Sequence, residues 1–530
     1  MLEKYLGFPS KTHHYIYVFT TILIAVSLPL SVFGLSLGII ILGSNWIVEG
    51  DLVKKIKILW GNKNLLFIIS IYLTFVVGLI WTTNFKYAIH DLKIKLPLLG
   101  LPVIYGTISA FSWKKVRMVL IFFVLAVIAG SFISFAIFLG ATGEEITDTR
   151  NISIFISHIR FALMIDLAIL ILFYGVFKFK TNLFQSILLI AGIAWLIFFL
   201  FILGSYTGLT ILILVLPLAL LYLAYQKSSK RIFNITLTSI SLTTILIIFF
   251  SFHYIHRFNK QHLVSADQLE LKTVNGNFYT HDTLKPDLEN GYQVWIYVCE
   301  KELRKEWNEV SDYKYDSLDM KNQCVHSTLR RYLTSKGLRK DSLGFSKLTK
   351  HDIEQIEMGN ANYIFGRRWS LYTKLYPLLW QWKRYRNSED PNGQSVTMRI
   401  EYVKTGINVL KRHLLIGTGT GDLEDQFKKQ YELDKTKLHP EYQKRSHNQI
   451  LTIFITLGLL GGIWICFAFT MSIYIERKNI GFLFIVFLLI ALLSMLNEDT
   501  LETHSGVSFI AFFFSFLLYN HSYRTSNDPD

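Results

Sequence analysis

The sequence predicts an all-α polytopic membrane protein, with about twelve transmembrane helices and a large, mainly helical extracytoplasmic loop. Three observations predict it. Hydrophobic residues make up 51% of the 530 positions, mean hydropathy is +0.35, and the apolar residues lie in runs long enough to cross a hydrocarbon core. The short segments between runs differ sharply in Lys and Arg content from one side to the other. A single long polar stretch, residues 255–446, interrupts the pattern.

The apolar runs fall near 15–31, 33–48, 65–83, 96–111, 117–139, 158–177, 183–203, 207–226, 232–254, 449–475, 480–497 and 505–520. No small-residue cleavage site follows the first, so it reads as a retained span. Counted from an inside start, the short segments on one side hold seventeen Lys and Arg, among them Lys54, Lys55, Lys57, Lys114, Lys115 and Arg117. Those on the other side hold four: Lys86, Lys93, Lys95 and Arg150. Cytoplasmic loops collect cations, so both termini are expected inside and the long loop outside. This divides the chain into spans one to nine (1–254), an extracytoplasmic, periplasmic loop domain (255–446), spans ten to twelve (447–520) and a cytoplasmic tail (521–530). The net charge of +15 is what such basic loops produce, and it does not call for a nucleic-acid partner. The nine-plus-three division around the loop lacks the two similar halves of many transporters.

The loop is expected to be folded. It contains aromatic clusters, including Tyr363, Phe365 and Tyr372, then Trp380 and Trp382. Val396, Ile400, Val403, Ile407 and Leu410 recur in steps of four and three, the period of an amphipathic helix, just after the turn Pro391-Asn392-Gly393. Cys299 and Cys324 both lie in the loop. They form a disulfide if it faces an oxidising compartment, or are two unrelated thiols.

The candidate chemistry sits where the loop ends, in Lys444-Arg445-Ser446-His447-Asn448-Gln449. Imidazole is the side chain best suited to taking a proton near neutral pH. Arginine offers paired donors for phosphate oxygens. The alternative is that both only snorkel to lipid headgroups, which is also the reading for the Arg367-Arg368 pair. Arg160, near the outer end of the sixth span, is a further cation close to hydrocarbon. Glu498, Asp499 and Glu502 precede the last span; they could hold a divalent cation, pair with the arginines or receive acceptor hydroxyls. Neither a His-Glu-x-x-His pattern nor Cys/His metal spacing occurs, so no metal site and no cofactor are expected. Gly417-x-Gly419-x-Gly421 follows a helix and not a strand. It reads as a turn where glycines permit close backbone approach, substrate included.

His447-Asn448, nine residues and then Gly458-Leu459-Leu460-Gly461 at a loop-to-span junction resemble the signature of the bacterial O-antigen ligase superfamily, which includes O-antigen polymerases and certain protein O-oligosaccharyltransferases. Arg399 in the helix from Ser395, the following 414–422 glycine segment, and Glu498-Asp499-Thr500-Leu501-Glu502 look like further family features. In Ser205-Tyr206-Thr207-Gly208, Tyr206 stands where the family often has arginine, and Arg160 is one candidate substitute. The resemblance implies a membrane glycosyltransferase of class C type in the bacterial inner membrane, with its site on the periplasmic face. It implies that a glycan moves from undecaprenyl pyrophosphate to an acceptor, the lipid A-core oligosaccharide first, by an inverting mechanism without metal. His447 would be the base. Arg399, Arg445, Arg160, Asn448, Glu498 and Glu502 would bind pyrophosphate or substrate. A polymerase joining repeat units and a ligase acting on protein Ser or Thr share such a site. A transporter or flippase, a different class, would need charges along an intramembrane pathway; the spans hold few beyond Arg160 and Asp166.

Overall fold

Hydrocarbon offers backbone groups no hydrogen-bond partners, so the apolar runs close their own bonds as helices. In the computed structural model they do so throughout the described residues, which are 10–141, 143, 149–178, 182–226, 230–285, 287–366, 370–386 and 390–520. The Arg367-Arg368 pair and the 521–530 tail lie outside them. The chain forms two compact units, 1–237 with 398–530, and 238–397.

In chain order the first half contains α1 (Ser10–Leu30), α2 (Val32–Val48), α3 (Leu52–Gly61), α4 (Lys63–Val77), α5 (Phe85–Lys95), α6 (Pro97–Thr107), α7 (Trp113–Phe138), α8 (His158–Lys178), α9 (Leu183–Leu203), α10 (Tyr206–Gln226) and α11 (Lys230–Asn259). Polar caps mark the starts. Asn62 and Asn84 accept from Leu65 and Tyr87 amides at 3.2 and 3.1 Å, and Asn182 with Gln185 forms a capping box on α9. Then come α12 (Glu300–Val310), α13 (Val325–Ser335), α14 (Ser342–Phe345), α15 (Lys350–Glu357), α16 (Leu371–Arg386), α17 (Ser395–Arg412), α18 (Leu423–Leu433), α19 (Gln449–Ile475), α20 (Phe482–Met495) and α21 (His504–Tyr519).

The all-α polytopic class is as the sequence predicts. Each of the twelve expected spans is a helix, but among the described residues eight are long and apolar enough to cross a membrane; α2 and α3, bent by 107°, together would make a ninth. The others expected, α6, α20 and α21, have only 11, 14 and 16 residues. Helix α8 is the hub of the first unit, with thirteen buried residues between Phe161 and Gly175. Around α11, by contrast, Leu242, Ile245, Phe249 and Phe252 are all exposed, the pattern of a lipid-facing helix.

The region expected as one loop, 255–446, is divided between the units. Within 238–397, a short hairpin (Leu288–Glu289 with Tyr292–Gln293) and α12, α13 and α15 enclose a core of Leu303, Trp307, Leu329, Leu333 and Ile356. Of the two readings of Cys299 and Cys324, the structure has the second: Cys299 is buried and Cys324 exposed, both as free thiols. Cys299 is turned inward at the start of α12, where its N–H donates to the Lys340 carbonyl at 2.8 Å, whereas Cys324 heads α13 at the surface.

Residues 398–446 pack with the first unit. Helix α17 is present where the period predicts it, but its buried stripe is Tyr402, Thr405 and Val409, and Ile407 is exposed. Gly406 lies between them and lets Leu451, Ile455 and Phe427 come close. The contact face is set by that small residue and by Tyr402, not by the aliphatic count.

Candidate functional site

The site is built where α19 begins. Asn448 caps α19, its Oδ1 accepting from the Leu451 amide at 2.8 Å, while its Nδ2 donates to the Leu496 carbonyl at 2.9 Å. One residue earlier, His447 has φ of 48°, a left-handed conformation uncommon outside glycine. The turn places the imidazole against the Tyr402 ring (centroids 5.4 Å apart) and aims Nδ1 at Glu498 Oε2, 3.7 Å away. That Nδ1 is buried and makes no hydrogen bond, yet the side chain is 35% exposed, so the remainder of the ring is the accessible part.

The acidic run before α21 is buried and meets the cations. Glu498 Oε1 accepts from Arg399 at 2.5 Å, and Arg399 also donates to Asn497 Oδ1 at 3.1 Å. Asn497 in turn donates to Thr207 Oγ1 at 2.9 Å, so the Tyr206 segment lies two hydrogen bonds from Arg399. Tyr206 itself is half exposed at the first turn of α10. Arg445 donates to Glu502 Oε2 at 3.2 Å and to the Tyr87 hydroxyl at 3.1 Å. Asp499 accepts from Thr452 at 2.9 Å. Arg160 donates to Ser157 Oγ at 3.3 Å and lies within electrostatic reach of Glu498 and Asp499.

Two further groups support the cluster, Lys95 from an element outside the motif and Gln449 from within it. Lys95, at the end of α5, is 1% exposed and bridges Asp91 (2.5 Å) and Glu502 (3.0 Å). Gln449 donates to Glu502 Oε1 at 3.1 Å and accepts from the Leu501 amide at 2.7 Å. Burial pushes the Glu502 carboxyl up, but Lys95 and Arg445 outweigh it and hold it down to about 2. Burial and the Glu502 charge push Asp91 the other way, up to about 7. Asp499 is also raised, by burial and then by Glu502. Lys95 shows its signal in the sequence only as an i,i+4 partner of Asp91.

The glycine segment makes the close backbone approach expected of it, and its partner is the backbone of α19. Gly458, at φ 67° and ψ −173°, breaks α19. Residues 414–419 run into that break. Thr418 and Gly419 amides donate to Ile455 and Thr456 carbonyls at 2.9 and 3.0 Å, and Leu459 and Leu460 amides to Leu414 and Leu415 carbonyls at 2.8 and 3.1 Å. The carbonyls and amides freed by the break are thus satisfied by another backbone. A Cβ on Gly417 would lie 2.4 Å from Gly458 N. Beyond it, Asp422 accepts from Thr83 and Asn84 amides, both at 2.7 Å. These contacts clamp the segment between α19 and the start of α5, which carries Tyr87 and Lys95.

The acidic side chains therefore pair with cations. Among the described residues no group of three or more His, Cys, Asp or Glu converges as a metal site.

Fold and site together define a multi-pass helical membrane protein with a largely buried cluster of paired cations and carboxylates beside an accessible imidazole. The family model described as O-antigen ligase matches residues 356–466. The match covers Arg399, the glycine segment, Arg445, His447 and Gly458, and it supports the O-antigen ligase superfamily and, in general terms, a glycosyltransferase- or ligase-type enzyme. No curated protein matches the chain. Lys95, Glu498 and Glu502 lie outside the matched segment.

Proposed function

We propose that the protein transfers an O-antigen-like glycan from undecaprenyl pyrophosphate to an acceptor hydroxyl, the lipid A-core oligosaccharide first, on the periplasmic face of the inner membrane, with both termini cytoplasmic. The observation that carries this reading is His447, held at positive φ with Nδ1 toward Glu498, the carboxylate that also pairs with Arg399, while Arg445 two residues earlier pairs with Glu502.

An Nδ1–H facing a carboxylate leaves Nε2 as the base. The acceptor hydroxyl gives its proton to Nε2 as its oxygen bonds to the anomeric carbon. The bond from that carbon to the pyrophosphate oxygen breaks, and its electron pair leaves with the lipid carrier. Attack from the opposite face inverts the configuration. Arg399 and Arg445 offset the charge that develops on the leaving pyrophosphate, and Arg160 is placed to add to their field. Glu498 and Glu502 hold the two guanidinium groups in position before substrate arrives. Asn448 fixes the first turn of α19, and with it the imidazole. This chemistry asks for no metal, because pyrophosphate is already a fair leaving group.

The test is His447→Ala in a reconstituted transfer assay. The expected result is a rate loss of about 10²–10⁴-fold in a protein that still inserts and elutes as wild type. Near wild-type transfer would remove His447 from the mechanism. Deleting the protein from its host assigns the acceptor. Loss of all polymer on lipid A marks a ligase, a single repeat unit on the core marks a polymerase, and missing glycoproteins with intact lipopolysaccharide mark the protein-directed branch. Normal surface glycans in every case would exclude glycan transfer.

A further inference from the structure

The unit formed by residues 238–397 contains a cavity of about 1010 Å³ that the transfer chemistry does not use. Five cations line it: Lys285, Arg330, Arg331, Lys383 and Arg384. Two carboxylates, Asp287 and Glu289, share the wall, and Lys285 also pairs with Asp282 at 3.2 Å just outside it. Both carboxylates are engaged in the wall. Glu289 pairs with Arg331 and accepts from Asn362 at 3.0 Å, and Asp287 accepts from Trp295 Nε1 at 2.7 Å. Arg330 is 7% exposed; its Nη2 donates to Glu300 Oε1 at 2.7 Å, while its Nε has no hydrogen-bond partner.

Aromatic surface alternates with these charges. Lys285 and Arg330 stand 4.3 and 4.7 Å from the Trp295 ring centre, Arg384 stands 4.6 Å from that of Trp380, and Trp380 keeps 36% of its surface exposed. Gln261, Asn290 and Gln293 add amide groups to the wall.

An apolar ligand would strand these charges. A small anion would fill little of the volume, which matches or exceeds the upper end of drug-sized pockets, about 1,000 Å³. The exposed part of the Trp380 indole suits the apolar face of a sugar ring, amides suit hydroxyls, and guanidinium and ammonium groups suit carboxylate or phosphate substituents. We propose that this cavity is a binding site for an acidic oligosaccharide, several sugar rings long. That the oligosaccharide is part of the transferred glycan rests on the reading under Proposed function. Most of the lining precedes residue 356, outside the O-antigen ligase match, while Tyr376, Trp380, Lys383 and Arg384 fall inside it.

The experiment is calorimetric titration of the full-length protein in nanodiscs. The probes are a galacturonic acid hexasaccharide, the neutral maltohexaose, inorganic phosphate, and phosphatidylglycerol vesicles. The acidic hexasaccharide is expected to bind at least about tenfold more tightly than the neutral one and than phosphate. Trp380→Ala, which changes no charge, and Lys383→Glu are each expected to weaken it about fivefold or more. His447→Ala is expected to leave binding unchanged. No binding, equal affinity for the acidic and neutral sugars, or unchanged binding in both cavity variants would overturn the proposal. So would phosphate or anionic vesicles matching the acidic sugar. Wild-type protein that transfers glycan but does not bind the probe defeats the cavity reading alone. Protein that binds the probe but transfers nothing defeats the transfer reading alone.

Discussion

At the scale of single residues, the site depends on compensation between buried charges. Lys95 is enclosed with two carboxylates, Asp91 and Glu502. Removing the ammonium leaves both without their central cation, at a cost of about 3–5 kcal/mol. Lys95→Met is therefore expected to melt well below wild type at neutral pH. The sign of the pH dependence follows from Glu502, whose folded-state value near 2 lies below its ordinary 4.5. Its stabilisation is fully present above the ordinary value and is lost as pH falls toward the folded one. The gap in melting temperature between wild type and Lys95→Met should accordingly narrow on acidification from about pH 5 to about pH 3. A constant gap would show that Lys95 acts by packing alone. Arg445 shares Glu502 with Lys95, so a structural fault at α5 reaches a proposed pyrophosphate ligand through one carboxylate.

At the scale of elements, the informative feature is the broken α19. A span interrupted at Gly458 is tolerated because the 414–419 backbone occupies the gap and satisfies the freed groups. Both glycines are at positive φ, 75° at 417 and 67° at 458, and a Cβ at either would lie within 2.5 Å of the partner backbone. Gly417→Ala and Gly458→Ala are each expected to lower stability by at least about 1–3 kcal/mol. The loss would be read as lost monodisperse protein on fluorescence-detected size exclusion. Gly43→Ala in α2 meets nothing within 4 Å and serves as the control, neutral or slightly stabilising. The glycine spacing was visible in the sequence, but its partner was not, because 417 and 458 meet only after α17 and α18 fold back on α19. The period of α17 was legible in the same way, while its buried face followed from Gly406 and Tyr402.

At the scale of the whole molecule, the charge asymmetry predicts a topology that one native thiol can test. Cys324 is exposed, Cys299 is buried and Cys466 lies in the apolar α19. A membrane-impermeant maleimide is expected to label intact spheroplasts, and Cys324→Ser is expected to remove the label. Labelling that requires prior reduction would show that Cys324 is bridged in the cell. Labelling only after lysis would reverse the orientation of the loop.

By itself, the sequence determined the membrane class and the approximate places of the helices, and it singled out the junction at Arg445–His447 as the candidate site. All three rest on local information: runs of apolar residues, counts of basic ones, and a motif within a few turns of chain. Tertiary structure decided what those residues meet. Lys95 and Glu502 are some four hundred positions apart, Thr207 and Asn497 nearly three hundred, and no periodicity links them. Side chains from α5, α10, α17 and the approach to α21 converge on the head of α19 because buried charges and broken-helix carbonyls must find partners where water is absent.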